Sequence, residues 1–111
     1  MMDDHSMDAT FAALADPTRR QMVERLLQGE ATVTELAEPH DMLMPAVLKH
    51  VTKLVDAGLV TRRKEGRVVT CTLNPSPMDE AQAWLQKHLD FWNSRLDALD
   101  LYLQHQKDDN T

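Results

Sequence analysis

The chain has 111 residues, a net charge of −6 and 42% hydrophobic residues, which is the size and composition of one small globular domain. No apolar run approaches the roughly 20 residues of a membrane span, and the acidic N-terminal stretch lacks the basic residues of a signal peptide, so neither is expected. The single cysteine, Cys71, cannot form an intrachain disulfide, which is typical of a reducing, cytoplasmic compartment.

The negative net charge is unevenly distributed. Between Lys49 and Arg67 there are six Lys or Arg residues and only two acids, whereas both ends of the chain are acidic. Clustered cations are the feature by which a protein holds nucleic-acid phosphates. We therefore expect a cationic surface from the middle of the chain, with the acidic termini directed away from it.

Proline, glycine and capping residues divide the first part of the chain into short helices. Residues 8–15 are predicted to form the first helix. The second begins after the cap Asp16, with a proline at its first position, and runs to about Gln28 because Gly29 follows.

The next two predicted helices have the lengths and signals of a helix-turn-helix. Thr32 and Glu35 fit a capping box that opens a short third helix, which Pro39 ends. The fourth begins near Pro45 and ends at Gly58. Its inward positions are expected to be Val47, Val51, Leu54 and Val55.

Two β-prone segments, 59–63 and 68–73, flank the basic turn 64–67 and predict a β-hairpin. A helix followed by a cationic hairpin is suited to duplex DNA. The helix enters the major groove and the hairpin reaches the neighbouring backbone.

A fifth helix is predicted from about Met78 to Gln104. Its apolar residues recur at alternating steps of four and three, the spacing of a seam that packs against another helix. We expect this seam and the first helix to join two copies of the chain around a two-fold axis. The alternative is that the fifth helix folds back on its own chain. The expected dimerisation residues are Phe11, Leu85, Leu89, Trp92, Leu96, Leu99 and Leu103.

The predicted organisation is therefore a single domain with three parts. Residues 8–77 form the DNA-binding core, residues 78–104 form the dimerisation helix, and residues 105–111 are expected to be a disordered tail.

This order of elements and its sequence resemble the ArsR/SmtB family of winged helix-turn-helix repressors. The resemblance is carried by the opening 11–20, by Pro-Ala-Val with Lys-His over 45–50, by Asp-Ala-Gly-Leu-Val over 56–60 and by Glu-Gly-Arg over 65–67. It implies a mainly α fold with a β-hairpin wing and five helices, dimeric through its terminal helices. It also implies a cytoplasmic bacterial homodimer that represses transcription until an inducer releases it.

On this interpretation the fourth helix reads the major groove and the wing contacts the backbone, or the minor groove at Arg67. Arg19 and Arg20, near the start of the second helix, are expected on the flanking backbone. The alternative for each charge is a solvated surface. The predicted DNA-contact residues are Met44, Ala46, Leu48, Lys49, His50, Lys53, Arg62, Arg63, Lys64, Arg67, Arg19 and Arg20.

Leu43 and Leu48 stand where members of the family usually have serine. Leu43 cannot cap the reading helix, which costs about 1 kcal/mol, and Asp41 is less well spaced to replace it. Leu48 and Met44 are expected to form an apolar strip on the outer face of that helix. Three interpretations stay open: the strip contacts thymine methyl groups; it binds a protein or small apolar ligand while DNA binding is weakened or lost; or the leucines disable or redirect the site.

No metal, cofactor or enzymatic centre is expected. The family's cysteine-based metal sites lack a counterpart at 35–38, and His88 and His105 lie about 25 Å apart along a helix at roughly 1.5 Å per residue. A site across the dimer that uses His88 is unsupported. Cys71 has no partner for redox sensing and is expected to be structural. No phosphate-binding loop, nucleophile elbow or acid–base pair indicates an enzyme.

A small-molecule inducer is possible within this family resemblance. Its predicted pocket is the region of Trp84, Phe91 and Trp92, although ordinary core or dimer packing is the favoured alternative.

Overall fold

A computed structural model describes the backbone of residues 2–109 and the side chains of residues 7–106. Over that range the chain forms five helices and three strands: α1 (Met2–Leu14), α2 (Pro17–Leu26), β1 (Ala31–Thr32), α3 (Val33–Ala37), α4 (Met44–Asp56), β2 (Val60–Glu65), β3 (Val68–Leu73) and α5 (Ser76–Asp109). The chain divides into two units, one up to Glu80 and one from Ala81 onward. None of the helices described is both long enough and apolar enough to cross a membrane.

The first unit packs its short helices against a small sheet. The strand order is β1-β3-β2, and both pairings are antiparallel. The predicted inward residues Val47, Val51 and Leu54 of α4 are confirmed, with at most 1% of each exposed, and Val55 packs at the edge of the same core. This burial fixes the orientation of α4 and leaves its remaining faces available for contacts.

Predicted capping interactions set the starts of α2 and α3. The Asp16 carboxylate accepts a hydrogen bond from the Arg19 backbone N–H at 3.1 Å. Both bonds of the Thr32–Glu35 capping box are present, at 3.0 and 3.1 Å. These caps satisfy backbone donors that the first turn of a helix leaves free.

Several helix boundaries differ modestly from the sequence expectation. α1 begins at Met2 instead of residue 8, α2 ends at Leu26 before Gln28, α4 begins at Met44, and α5 begins at Ser76 instead of Met78. The acidic residues ahead of position 8 tolerate the helical conformation, because acids are favourable near a helix N-terminus.

The hairpin turn is tighter than the predicted 64–67. Glu65 pairs with Val68, so the turn is only Gly66 and Arg67, and β2 extends to Glu65 instead of ending at Arg63. Gly66 has φ +62°, and a glycine with positive φ at the first central position suits a type II′ hairpin. The strand β1 was not predicted, because a segment of two residues is too short to show a period-two pattern.

The second unit consists of the greater part of α5. The helix continues to Asp109, so residues 105–109 of the predicted disordered tail are helical, and residues 110 and 111 lie outside the described range. Neither glycine nor proline follows Gln104, so no residue there ends the helix. The seam residues predicted on α5 are 43–58% exposed in the single chain.

Candidate nucleic-acid interface

α4 and the wing (residues 60–73) bound an open groove, here called the helix–wing groove. It has a volume of about 570 Å³, and its walls include Met44 and Leu48 from α4, Val33 from α3, and Lys64 and Arg67 from the wing. A second cavity of about 390 Å³ shares Val33, Leu48 and Lys64 with it and reaches Arg62. The reading helix and the wing therefore form one concave surface.

The strip formed by Met44 and Leu48 lies on the side of α4 that faces the wing. Each residue is 42% exposed, and both line the helix–wing groove. Both side chains are therefore on an accessible side of the helix, as expected, and the wing forms the facing wall of the groove that they line. Helix periodicity could not show which side the hairpin would flank, since it locates only the buried face of α4.

Strand alternation separates the cations of the wing onto two faces. Arg62 lies opposite the buried Cys71, and Lys64 lies opposite Val69, so both belong to the face turned toward α4. Arg62 also donates to the Thr52 hydroxyl of α4 at 3.2 Å.

Arg63 lies on the opposite face of the hairpin and is engaged there. Its Nε is 2.6 Å from a Glu65 carboxylate oxygen, and its Nη2 is 3.9 Å from Glu30. The alternation of β2 in the sequence is the signal that could have separated Arg63 from its neighbours.

Arg19 is held by the C-terminus of α1 instead of projecting freely. Its guanidinium donates to the carbonyl oxygens of Ala13 at 2.7 Å and Ala12 at 3.2 Å, and its Nη1 lies 3.2 Å from His50 Nδ1. Because a guanidinium can only donate, His50 Nδ1 is the acceptor, which places any proton of the neutral ring on Nε2. One side chain thus joins α1 to the reading helix.

His50 is consequently turned toward α2. Its side chain is 21% exposed, and Nδ1 lies 3.8 Å from the Asp16 carboxylate as well as near Arg19. Hydrogen bonding to the Arg19 backbone N–H is the main cause that lowers the pKa of Asp16, and the charge of Arg19 acts in the same direction.

Arg20 has a comparable structural partner. Its Nη1 donates to the Leu14 carbonyl at 2.7 Å. Arg19 and Arg20 together satisfy carbonyl groups that the last turn of α1 leaves without helical partners. The sequence pattern gave no sign of this, because nothing in it indicates that α1 ends beside their side chains.

The other predicted contact residues of α4 are more accessible. Lys49 and Lys53 are exposed, and Ala46 is half buried. Like Lys64 and Arg67, the two lysines form no hydrogen bond or ion pair with any described side chain. Four cations on α4 and the wing therefore remain available for an external anion.

Cys71 is fully buried in the core, with 0% exposed. Burial raises the pKa of its thiol, and the charge of Arg62 opposes that rise only in part. Among the side chains of residues 7–106, no group of three or more His, Cys, Asp or Glu could hold a metal ion.

The aromatic residues predicted to surround an inducer lie on the exposed surface of α5. The Trp84 and His88 rings are 4.1 Å apart, the Phe91 and Trp92 rings meet edge to face at 5.6 Å, and Arg95 covers Phe91 at 4.7 Å. These contacts all lie within the one helix, so the pocket stays a prediction. Phe11, the expected dimer residue of α1, is 37% exposed.

Comparisons with known proteins agree with this architecture. A family described as a helix-turn-helix domain matches residues 14–63. The HTH-type transcriptional regulator Rv2034 of Mycobacterium tuberculosis is 37% identical over 105 residues, with 94% of each chain covered. The transcriptional repressor SdpR of Bacillus subtilis is 27% identical over 79 residues, which cover 71% of this chain and 88% of that protein.

A solved structure extends the likeness to three dimensions. The crystal structure of an ArsR family transcriptional regulator, RHA00566, matches with a TM-score of 0.77 and 43% identity, covering 82% of this chain and 94% of that one. The helix-turn-helix, the wing and these relatives together show that the chain belongs to the ArsR family of DNA-binding transcriptional regulators, a class without enzymatic activity.

Proposed function

We propose that the protein is a homodimeric, sequence-specific repressor that places α4 in the major groove and its wing on the adjacent backbone or in the minor groove. The observation that carries this proposal is the set of four exposed cations without described partners: Lys49, Lys53, Lys64 and Arg67. They all belong to the two elements that a winged helix presents to DNA. Because duplex DNA is the partner, we expect the protein in the cytoplasm.

The partners of each cation indicate which of them we expect to contact phosphate. Lys64 and Arg67 are available, whereas Arg63 already has two carboxylate neighbours and Arg19 is bonded to α1. We expect the available cations to supply most of the salt-dependent affinity. Neutralising about six phosphates per dimer would give a slope near −5 when log affinity is plotted against log salt concentration.

Dimerisation is supported by the exposed apolar seam of α5. Its members, such as Leu89 and Leu96, are more than half exposed in the single chain and repeat with coiled-coil spacing. A two-fold dimer would present two α4 helices to half-sites about 34–36 Å apart, one turn of DNA.

The decisive experiment is selection of bound genomic fragments followed by footprinting, which tests DNA binding and identifies the operator together. Lys64→Ala should then make the salt slope less negative by about 2 per dimer, since each protomer loses one phosphate contact. Arg63→Ala is the matched wing control and should change the slope much less. Failure to retain any duplex at low salt would contradict the proposal.

A second candidate is a dimeric ligand- or protein-binding module that has kept this fold with weakened DNA binding. The apolar wall of the helix–wing groove favours it, because Leu48 can offer no hydrogen bond to a base or phosphate. Changing Leu43 and Leu48 together to serine separates the two. A tenfold gain in DNA affinity would mean that the leucines impair an operator site, and a loss would mean that they read DNA.

A further inference from the structure

We propose that the helix–wing groove binds a single-chain amphipathic anion, such as a fatty carboxylate, and that this ligand releases the protein from DNA. The inference rests on the proposed function in one respect, which is that DNA occupies the same face. The binding site itself is argued from the groove alone.

The groove has the size and lining of a small-molecule site. Its volume of about 570 Å³ lies within the roughly 300–1,000 Å³ typical of ligand pockets. Met44, Leu48 and Val69 supply apolar walls, and Val33 is almost completely buried beneath them. Such a lining favours a hydrocarbon chain, because covering it removes apolar surface from water on both partners.

The charges along this groove select the head group. Lys64 and Arg67 line it, and neither forms a hydrogen bond or ion pair with a described residue. By contrast, Arg62 in the adjoining cavity is bonded to Thr52. Two uncompensated cations beside an apolar wall complement a molecule that has an acidic head and an apolar tail.

Leu48 is what makes the groove suitable for a chain. It lines both adjoining cavities, together with Val33 and Val69. A serine there would place a hydroxyl group against the chain and remove the apolar side chain that α4 contributes to both cavities through Leu48.

Occupation of the groove excludes DNA by direct competition. Lys64 and Arg67 cannot hold the carboxylate and a DNA phosphate at once, and a chain against Met44 and Leu48 fills the space between α4 and the wing. For exclusive binding, the apparent dissociation constant for DNA rises by the factor 1 + [ligand]/Kd of the ligand. No change of the dimer interface is needed.

The test uses dodecanoate below its micellar concentration and the full chain. Isothermal titration calorimetry should show one dodecanoate per protomer, and Leu48→Ser should weaken binding at least tenfold. Leu43→Ser is the matched control, because it makes the same change at the N-cap of the same helix, at a residue that is 81% exposed and outside the groove lining. It should change the affinity less than twofold.

Head-group selection is tested with Lys64→Ala and with dodecyltrimethylammonium. The variant should bind dodecanoate at least fivefold more weakly, and the cationic amphiphile should not compete. Absence of dodecanoate binding, equal binding by the Leu48→Ser variant, or equal binding of the cationic amphiphile would overturn the site. Circular dichroism of the two serine variants establishes that each is folded.

The regulatory step has its own readout. With a selected duplex, dodecanoate should raise the apparent Kd for DNA in proportion to its concentration, and the Leu48→Ser variant should resist this effect. Dodecanoate that binds without displacing the duplex would overturn the release mechanism. A protein that binds no duplex would contradict the proposed function, while the calorimetric result would still decide the site.

Discussion

Replacing Leu43 with serine should stabilise the protein, because the start of α4 has the geometry of a cap but lacks a capping side chain. Leu43 occupies the N-cap position with φ −72° and ψ 151°, which is the extended conformation that capping residues adopt. It forms no side-chain hydrogen bond with the helix. Leu43 is also 81% exposed, so little apolar packing is lost when it is replaced.

The size of the gain follows from the donors at this helix end. A serine cap is worth about 0.5–2 kcal/mol relative to alanine. Pro45 has no N–H, so the Ala46 N–H is the donor within reach, and it already bonds the Leu43 carbonyl oxygen at 3.0 Å. We therefore expect the lower part of the range, about 0.5–1 kcal/mol.

The assay compares Leu43→Ser with Leu43→Ala, since both remove the leucine and only serine adds an acceptor. Urea unfolding at fixed protein concentration should give the serine variant about 0.5–1 kcal/mol more stability with an unchanged m-value, corresponding to roughly 2–5 °C in Tm. Equal stability of the two variants would refute the inference that the N-terminus of α4 lacks a side-chain cap.

Further predictions concern Arg19, Asp16, Leu96 and Cys71. Arg19→Lys keeps the charge but loses the forked contacts to α1 and His50, so filter binding should show weaker DNA binding with an unchanged salt slope; a reduced slope would instead indicate a phosphate contact. The pKa of Asp16 is lowered by folding, so its contribution to stability is present above its unfolded pKa and lost as pH falls through the folded value; Asp16→Asn should flatten acid unfolding curves, and an unchanged acid limb would contradict this. Leu96→Asp puts a charge on the exposed α5 seam, so sedimentation should shift toward the monomer. A variant that stays dimeric would exclude the α5 seam as the dimer interface. Cys71 should react with a thiol reagent only after unfolding, and rapid labelling of the folded protein would contradict its burial.

Local signals in the sequence predicted most of the fold. The cap at Asp16, the Thr32–Glu35 box and the apolar positions of α4 each depend on residues close together in the chain, and each was confirmed. The strand β1 and the later end of α5 were missed, because a two-residue strand has no periodicity and no residue marks the end of the last helix.

The candidate interface was less predictable, because it depends on how separate elements meet. Sequence clustering grouped Arg63 with Lys64, whereas strand alternation puts them on opposite faces. Arg19 was expected on DNA, yet its partners are carbonyl oxygens from α1 and the ring of His50, which is distant in sequence. Charge composition indicated the region of the candidate interface, and only tertiary packing separated the cations without described partners from those with partners.

Binding of DNA by a dimer is tested most directly by the stoichiometry of the protein on a selected genomic duplex, measured by analytical ultracentrifugation at low salt. We expect two protomers on each duplex and a protein that is already dimeric at micromolar concentration. A monomer that sediments apart from every duplex offered would contradict it.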